Sequence, residues 1–206
     1  QFEAAGLDPD KVNVGDINDA NSFALSAADG HFDIALMLGV IPHVEDETMP
    51  LSNLRTAMKP GGRAFVSFRN KLFSAFTMNR YTHAFVLNEL LKDVDESIRA
   101  VADAQLKSQL RMDMPPTRDV SSTGGVGYDL ILARMHNPLE MRETFEAAGF
   151  ADIRIHFYHY HPCFPYLEGD GVSPDEFRRA AMALEGEKSG WRGYFLCSAF
   201  VVEATA

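Results

Sequence analysis

The run Phe32 to Val40 (Phe-Asp-Ile-Ala-Leu-Met-Leu-Gly-Val) constrains the fold more than any other segment, because it is nearly continuous in apolar residues and of strand length. A strand with no polar face to turn toward water predicts a parallel strand covered on both sides and central in its sheet. The next stretch of chain supplies the crossover that a parallel neighbour requires. Glu45 to Met58 carries Met49, Leu51, Leu54 and Met58 near helical spacing, with acidic residues early and Arg55 and Lys59 late, as the helix dipole favours. Pro60-Gly61-Gly62 predicts a stop, and Arg63 to Phe68 reads as the next strand. Ahead of all this, Lys11 to Ile17 reads as a short strand ending in an acidic turn at Asp16. The order strand, strand, helix, strand predicts an α/β class, with a doubly wound, mostly parallel sheet.

Beyond Phe68 the periodicity changes. From Asn70 to about Met114, Leu87, Leu91, Val94, Ile98 and Val101 follow a four-three repeat, so residues 70–135 read as a helical cap inserted after the strand. Ser121 to Gly127 is glycine-rich, but it lacks the Lys-Ser/Thr ending of a phosphate loop and no clear strand leads into it, so it reads as a flexible connection. Pro138 to Ala148 predicts a helix ended by Gly149, and Phe150 to His161 and Tyr194 to Val202 predict strands. Ser173 to Leu184 predicts a helix with Ser173 as N-cap and Glu176 closing a capping box.

Hydrophobic residues make up 46% of the 206, enough for one sizeable core, so the chain reads as a single domain. A formal charge of −10 with scattered Lys and Arg argues against a nucleic-acid partner. No apolar run reaches the roughly 18 residues that span a bilayer, so no membrane partner is expected. The two cysteines, Cys163 and Cys197, have no paired spacing, which predicts packed thiols and a cytoplasmic setting. Oligomeric state leaves no mark in the sequence.

Three segments in order carry a resemblance: Val-Gly-Asp-Ile at Val14 to Ile17, the Phe32 to Val44 run, and Leu54 to Ser67 with its Lys-Pro-Gly-Gly turn. Together with Glu146-Ala-Ala-Gly-Phe150 they resemble the class I S-adenosylmethionine-dependent methyltransferases. The resemblance implies a Rossmann-like fold with strand order 3-2-1-4-5-7-6, in which the last strand is inserted antiparallel. It implies S-adenosylmethionine as cofactor and, in the complete protein, methyl transfer to a small-molecule acceptor through oxygen or nitrogen. The family's first strand, its glycine-rich loop and the acid that ends its second strand have no counterpart here. The expectation is therefore a natural polypeptide with roughly 60–100 further N-terminal residues, about two βα units.

By the same resemblance, Asp16 would accept from the adenine amino group, with Ile17 flanking the ring, and Leu38 and Gly39 would present backbone to the methionyl part. His43 and His156 are candidate general bases, needed only if the acceptor is a hydroxyl or a protonated amine; His43 reads equally as a helix cap, and His159 and His161 are also able to titrate near neutrality. Arg69, Asn70, Arg80, Tyr81 and Tyr158 are candidates for the acceptor pocket, with Asn79 beside them. Period-two alternation puts His156, Tyr158 and Tyr160 on one side of their strand and Phe157, His159 and His161 on the other. A metal set of His159, His161 and Cys163 is conceivable, but an aromatic edge strand without metal is the reading adopted. Two alternatives remain: a non-catalytic methyltransferase-like binding domain, and a nicotinamide-dependent enzyme of related topology.

Overall fold

The computed structural model describes residues 6, 14–23, 32–116, 131–167, 171–186 and 189–206. Among them is a four-stranded sheet of β1 (Phe32–Met37), β2 (Met58–Arg69), β3 (Ala151–Tyr160) and β4 (Cys197–Thr205), in the order β1-β2-β4-β3. β1 and β2 run parallel, joined by helix α1 (Thr48–Thr56), while β4 is antiparallel to both β2 and β3. After β2 come a 3₁₀ turn (Leu72–Phe76), α2 (Arg80–Phe85) continued by a π-helical turn (Val86–Leu90), and α3 (Glu96–Gln109). Helix α4 (Met141–Ala147) leads into β3; α5 (Pro174–Leu184) and the single turn α6 (Gly193–Leu196) lie between β3 and β4. None of the described helices is long and apolar enough to cross a membrane.

The core lies on one face of the sheet. Ala64, Val66 and Phe68 of β2 and Phe200, Val202 and Ala204 of β4 point to that face, and Leu51 and Leu54 of α1 and Met141 and Phe145 of α4 close over it. Phe68 sits at the centre, stacked on Phe200 with ring centroids 5.3 Å apart and edge-on to Phe145 at 6.0 Å. Burying aromatic rings of this size contributes about 1.5–3 kcal/mol each, and the offset geometry adds to it. α5 starts as its sequence dictates: the Ser173 hydroxyl accepts from the Glu176 amide while the Glu176 carboxylate accepts from the Ser173 amide.

Several expectations are corrected. The sheet is mixed, with one parallel and two antiparallel pairs among its described strands, because the last two strands are joined as an antiparallel unit. The Phe32 run is an edge strand in the described sheet rather than an interior one. Its only described neighbour is β2, and Ile34 and Leu36, on the face opposite the core, are 62% and 66% exposed. Apolar composition registers what a strand avoids, and it cannot say how many neighbours it has. Pro60-Gly61-Gly62 lies inside β2 instead of stopping the chain. The register slips between Phe32↔Met58 and Ile34↔Arg63, Gly61 takes a left-handed φ of 81°, and a Cβ on Gly62 would lie 3.0 Å from the Phe32 carbonyl. The β4 strand starts at Cys197, since Gly193–Leu196 coils first. In the cap, Ile98 and Val101 are exposed, so the four-three repeat marks no buried seam. The expected Lys11 to Ile17 strand lies in part outside the described residues, and Val14 to Asp16 are irregular. The Ser121 to Gly127 loop lies wholly outside them.

Candidate functional site

The parallel strands β1 and β2 end at the same side of the sheet, where β3 also ends and β4 begins. A cavity of about 500 Å³ opens there, walled by Gly39, Arg69, Tyr158 and Ala199 and roofed by Phe73 and Tyr81. Ligands in open α/β sheets bind at this end because the crossovers diverge from it. Gly39 comes just past β1. Its amide donates to the Ser67 hydroxyl at 2.7 Å, tying the ends of β1 and β2 together, and its φ of 72° favours glycine. An added Cβ would meet nothing within 4 Å, so the backbone is open to a bound group.

His43 ends a 3₁₀ turn, Ile41–His43, and also borders the cavity. Its Nδ1 lies 2.7 Å from the Leu132 carbonyl. A carbonyl oxygen only accepts, so Nδ1 carries a proton, and in the neutral ring Nε2 is left as the basic nitrogen. The carbonyl belongs to an extended strap, residues 132–136, that crosses the strand ends. The strap is held by Arg134 N to Pro42 O at 2.8 Å, His136 N to Arg69 O at 2.8 Å and Lys71 N to His136 O at 2.9 Å.

The cavity collects some of the expected residues. Gly39, His43, Arg69, Asn70, Asn79, Tyr81 and Tyr158 all border it. The Asn70 amide, however, is committed to main chain: Nδ2 donates to the Tyr194 and Cys197 carbonyls at 2.9 and 2.8 Å, and Oδ1 accepts from Leu72 N at 3.0 Å. Asn79 caps α2 by accepting from Tyr81 N at 2.9 Å. Arg80 lies over the Tyr81 ring, 5.6 Å from its centroid, and outside the cavity lining. His156 also lies outside it. Its Nε2 is 2.7 Å from Glu203 Oε2, and the same carboxylate pairs with Arg63. Arg63 first, and then His156, hold the Glu203 carboxyl below the usual range. Asp16 and Ile17 are fixed by other partners. Asp16 accepts from Asn18 N at 2.9 Å, and the Ile17 carbonyl accepts from Asn53 of α1 at 3.0 Å. Leu38 is exposed beside Gly39.

His159 departs from the alternation. At a φ of 57° its backbone leaves strand geometry, and the ring borders the same cavity as Tyr158, 4.6 Å from it. The conceivable metal set is dispersed: His161 packs on Phe73 at 4.7 Å, and Cys163 lines a separate groove beside α5. Among the described residues no group of three or more His, Cys, Asp or Glu could hold a metal ion.

The sequence reading missed Glu47, Arg134 and His136. Arg134 Nη1 donates to Glu47 Oε2 at 2.5 Å, and His136 Nε2 stands 3.6 Å from that oxygen, beyond ordinary hydrogen-bond distance. His136 first, then Arg134, lower the Glu47 carboxyl to about 2 against the cost of its burial. No periodicity could have found this group, because Glu47 lies almost ninety residues from the other two.

No family model matches the sequence, and no curated protein does. Among solved structures, the chain is similar to a SAM-dependent methyltransferase from Archaeoglobus fulgidus, with 14% identity and a TM-score of 0.43 over 100% of this chain and 73% of that one. It is similar to an S-adenosylmethionine-dependent methyltransferase from Mesorhizobium loti, with 14% identity and a TM-score of 0.39 over 85% and 62%. It is also similar to phosphoethanolamine N-methyltransferase 2 from Haemonchus contortus, solved with S-adenosyl-L-methionine, at 13% identity and a TM-score of 0.34 over 84% and 33%. The overlap in each case is partial, and the chain spans only 62% and 33% of the last two.

Proposed function

We propose that this chain is the carboxyl-side part of a class I methyltransferase domain that transfers a methyl group from S-adenosylmethionine to a small molecule, through oxygen or nitrogen. The observation that carries the reading is the basic Nε2 of His43, set by the Leu132 carbonyl, on a cavity that also receives the open backbone of Gly39. The strand order supports it: β1-β2-β4-β3 with β4 antiparallel repeats the family's 4-5-7-6. So does the side of β1 that carries no strand among the described residues, which is where that order puts strands one to three.

The residues present fit two parts of the cofactor. Gly39 and Leu38 would hold the methionyl part through backbone, and Asp16 would meet the adenine amino group, since its carboxylate is exposed and held by the Asn18 amide. When bound, S-adenosylmethionine supplies a methyl group already activated on a sulfonium. The chain's remaining task is alignment, exclusion of water and one proton. Phe68, Phe73 and Met135 give the cavity apolar walls, and at about 500 Å³ it has the size of a small-molecule site. His43 Nε2 takes the proton of an acceptor hydroxyl or ammonium, and Nδ1 stays bonded to Leu132 while the ring is charged. The net charge of −10 supports a small acceptor over nucleic acid.

The test is methyl transfer from labelled S-adenosylmethionine by the natural gene product to a panel of small hydroxyl and amine compounds. Transfer that falls about 10²–10⁴-fold in His43→Gln, with acceptor KM little changed, is the expected result. Binding of the cofactor with no transfer would favour a non-catalytic binding domain instead.

A further inference from the structure

We infer that Glu47 is a positioning residue that keeps His43 in its Nδ1–H tautomer by pinning the strap of residues 132–136; the role as a base that this serves rests on the function proposed above. The strap belongs to no helix or strand, and Leu132, whose carbonyl sets the tautomer, is itself exposed. Besides its main-chain bonds to Pro42, Arg69 and Lys71, its place depends on the side chains two and four residues further along. Arg134 donates to Glu47 at 2.5 Å, and through the same nitrogen to the Val44 carbonyl at 3.4 Å. His136, with a side chain only 3% exposed, presents its ring edge-on to Phe68 at 4.9 Å and faces the same Glu47 oxygen. Glu47 is fixed in turn at the start of α1, where its carbonyl accepts from Leu51 N at 3.0 Å. One carboxylate at the start of α1 therefore holds Arg134 of the strap and faces its His136, and the strap delivers the carbonyl to His43.

The identity of the protonated nitrogen is set by whatever bond the other nitrogen makes. With Glu47 neutral and the strap loose, the Leu132 carbonyl no longer holds Nδ1–H and His43 distributes between both tautomers. Only one of them leaves Nε2 basic toward the cavity. The charge state of Glu47 agrees with this task, for its carboxyl stays ionised throughout the neutral range.

The experiment is nitrogen-15 NMR of the histidine rings in the full protein, with His43 assigned by the signals lost in His43→Gln. Wild type should show the Nδ1–H pattern at a pH where the ring is neutral. In Glu47→Gln the Nδ1–H form should fall from dominant to minor, because a neutral histidine ring with neither nitrogen engaged favours Nε2–H. If Glu47→Gln does not fold, Arg134→Met, which cuts the same link at a half-exposed side chain, should shift the tautomer in the same direction. In the methyl-transfer assay both variants should lower kcat more than acceptor KM. An unchanged His43 pattern in whichever variant folds, or Nε2–H in wild type, overturns the inference. The tautomer is read without cofactor or acceptor. A shift with no methyl transfer in any form would leave the positioning role standing and refute the proposed function.

Discussion

Replacing Asn70 separates a structural clamp from a substrate contact. The side chain is 1% exposed, and its amide donates to two carbonyls at 2.9 and 2.8 Å while accepting from Leu72 N at 3.0 Å. In Asn70→Ala these three bonds vanish and the Tyr194 and Cys197 carbonyls are left without that donor in a buried turn. At a net 0.5–1.5 kcal/mol per bond, with some addition for stranded groups, the variant should lose roughly 3–4 kcal/mol. Asn70→Asp keeps the shape and the Leu72 contact but turns an ionised oxygen toward two carbonyls, so at neutral pH it should cost at least as much. Burial raises the carboxyl's pKa in the folded state, so this variant should recover part of the loss as pH falls and the group becomes a donor. Urea unfolding measures both through the midpoint, with an unchanged slope. If Asn70→Ala unfolded within about 0.5 kcal/mol of wild type while acceptor affinity fell, the clamp would be ruled out and Asn70 would be a contact residue.

The same geometry sets further outcomes. The Glu47 carboxyl, lowered from 4.5 to about 2, contributes stability that is fully present above pH 4.5 and lost as pH falls toward 2. The loss has an upper bound of about 3 kcal/mol, and urea midpoints between pH 5 and 2.5 should fall more steeply in wild type than in Glu47→Gln. Gly193→Ala would put a Cβ 2.3 Å from the buried Phe157 ring and should cost at least about 1–3 kcal/mol, whereas Gly171→Ala meets nothing within 4 Å and should be near neutral by thermal denaturation. Burial pushes the Cys197 thiol up to about 12, so mass spectrometry after brief alkylation at pH 8 should find the label on half-buried Cys163 alone, and on both cysteines once the protein is unfolded.

What could be read from the residues depended on how local its cause was. The capping box at Ser173 and Glu176, the helix closed by Gly149, and the strand through Arg63 to Phe68 are set by neighbours within a few positions, and each has its counterpart in the structure. The edge position of Phe32–Met37 was not legible, because its side chains say only that water is unfavourable to them. Tyr194 to Leu196 has strand-forming residues, yet Asn70 reaches across 124 positions to hold the Tyr194 carbonyl in a helical turn. The strap was invisible for the same reason: Leu132 and His43 lie 89 residues apart, and an irregular segment has no period to detect. His43 could be singled out from its place after an apolar run, but nothing near it in sequence named the Leu132 carbonyl that its Nδ1 meets. The left-handed turn at His159 broke a rule of alternation that holds only for regular strands.

Whether the carboxyl edge of β1 and β2 accepts the methionyl end of a sulfonium cofactor is addressed most directly by calorimetric titration of the natural gene product with S-adenosylmethionine. One site per chain, with a Kd on the order of micromolar, is the expected result. Titration without heat, together with an unchanged thermal midpoint at saturating cofactor, would contradict it.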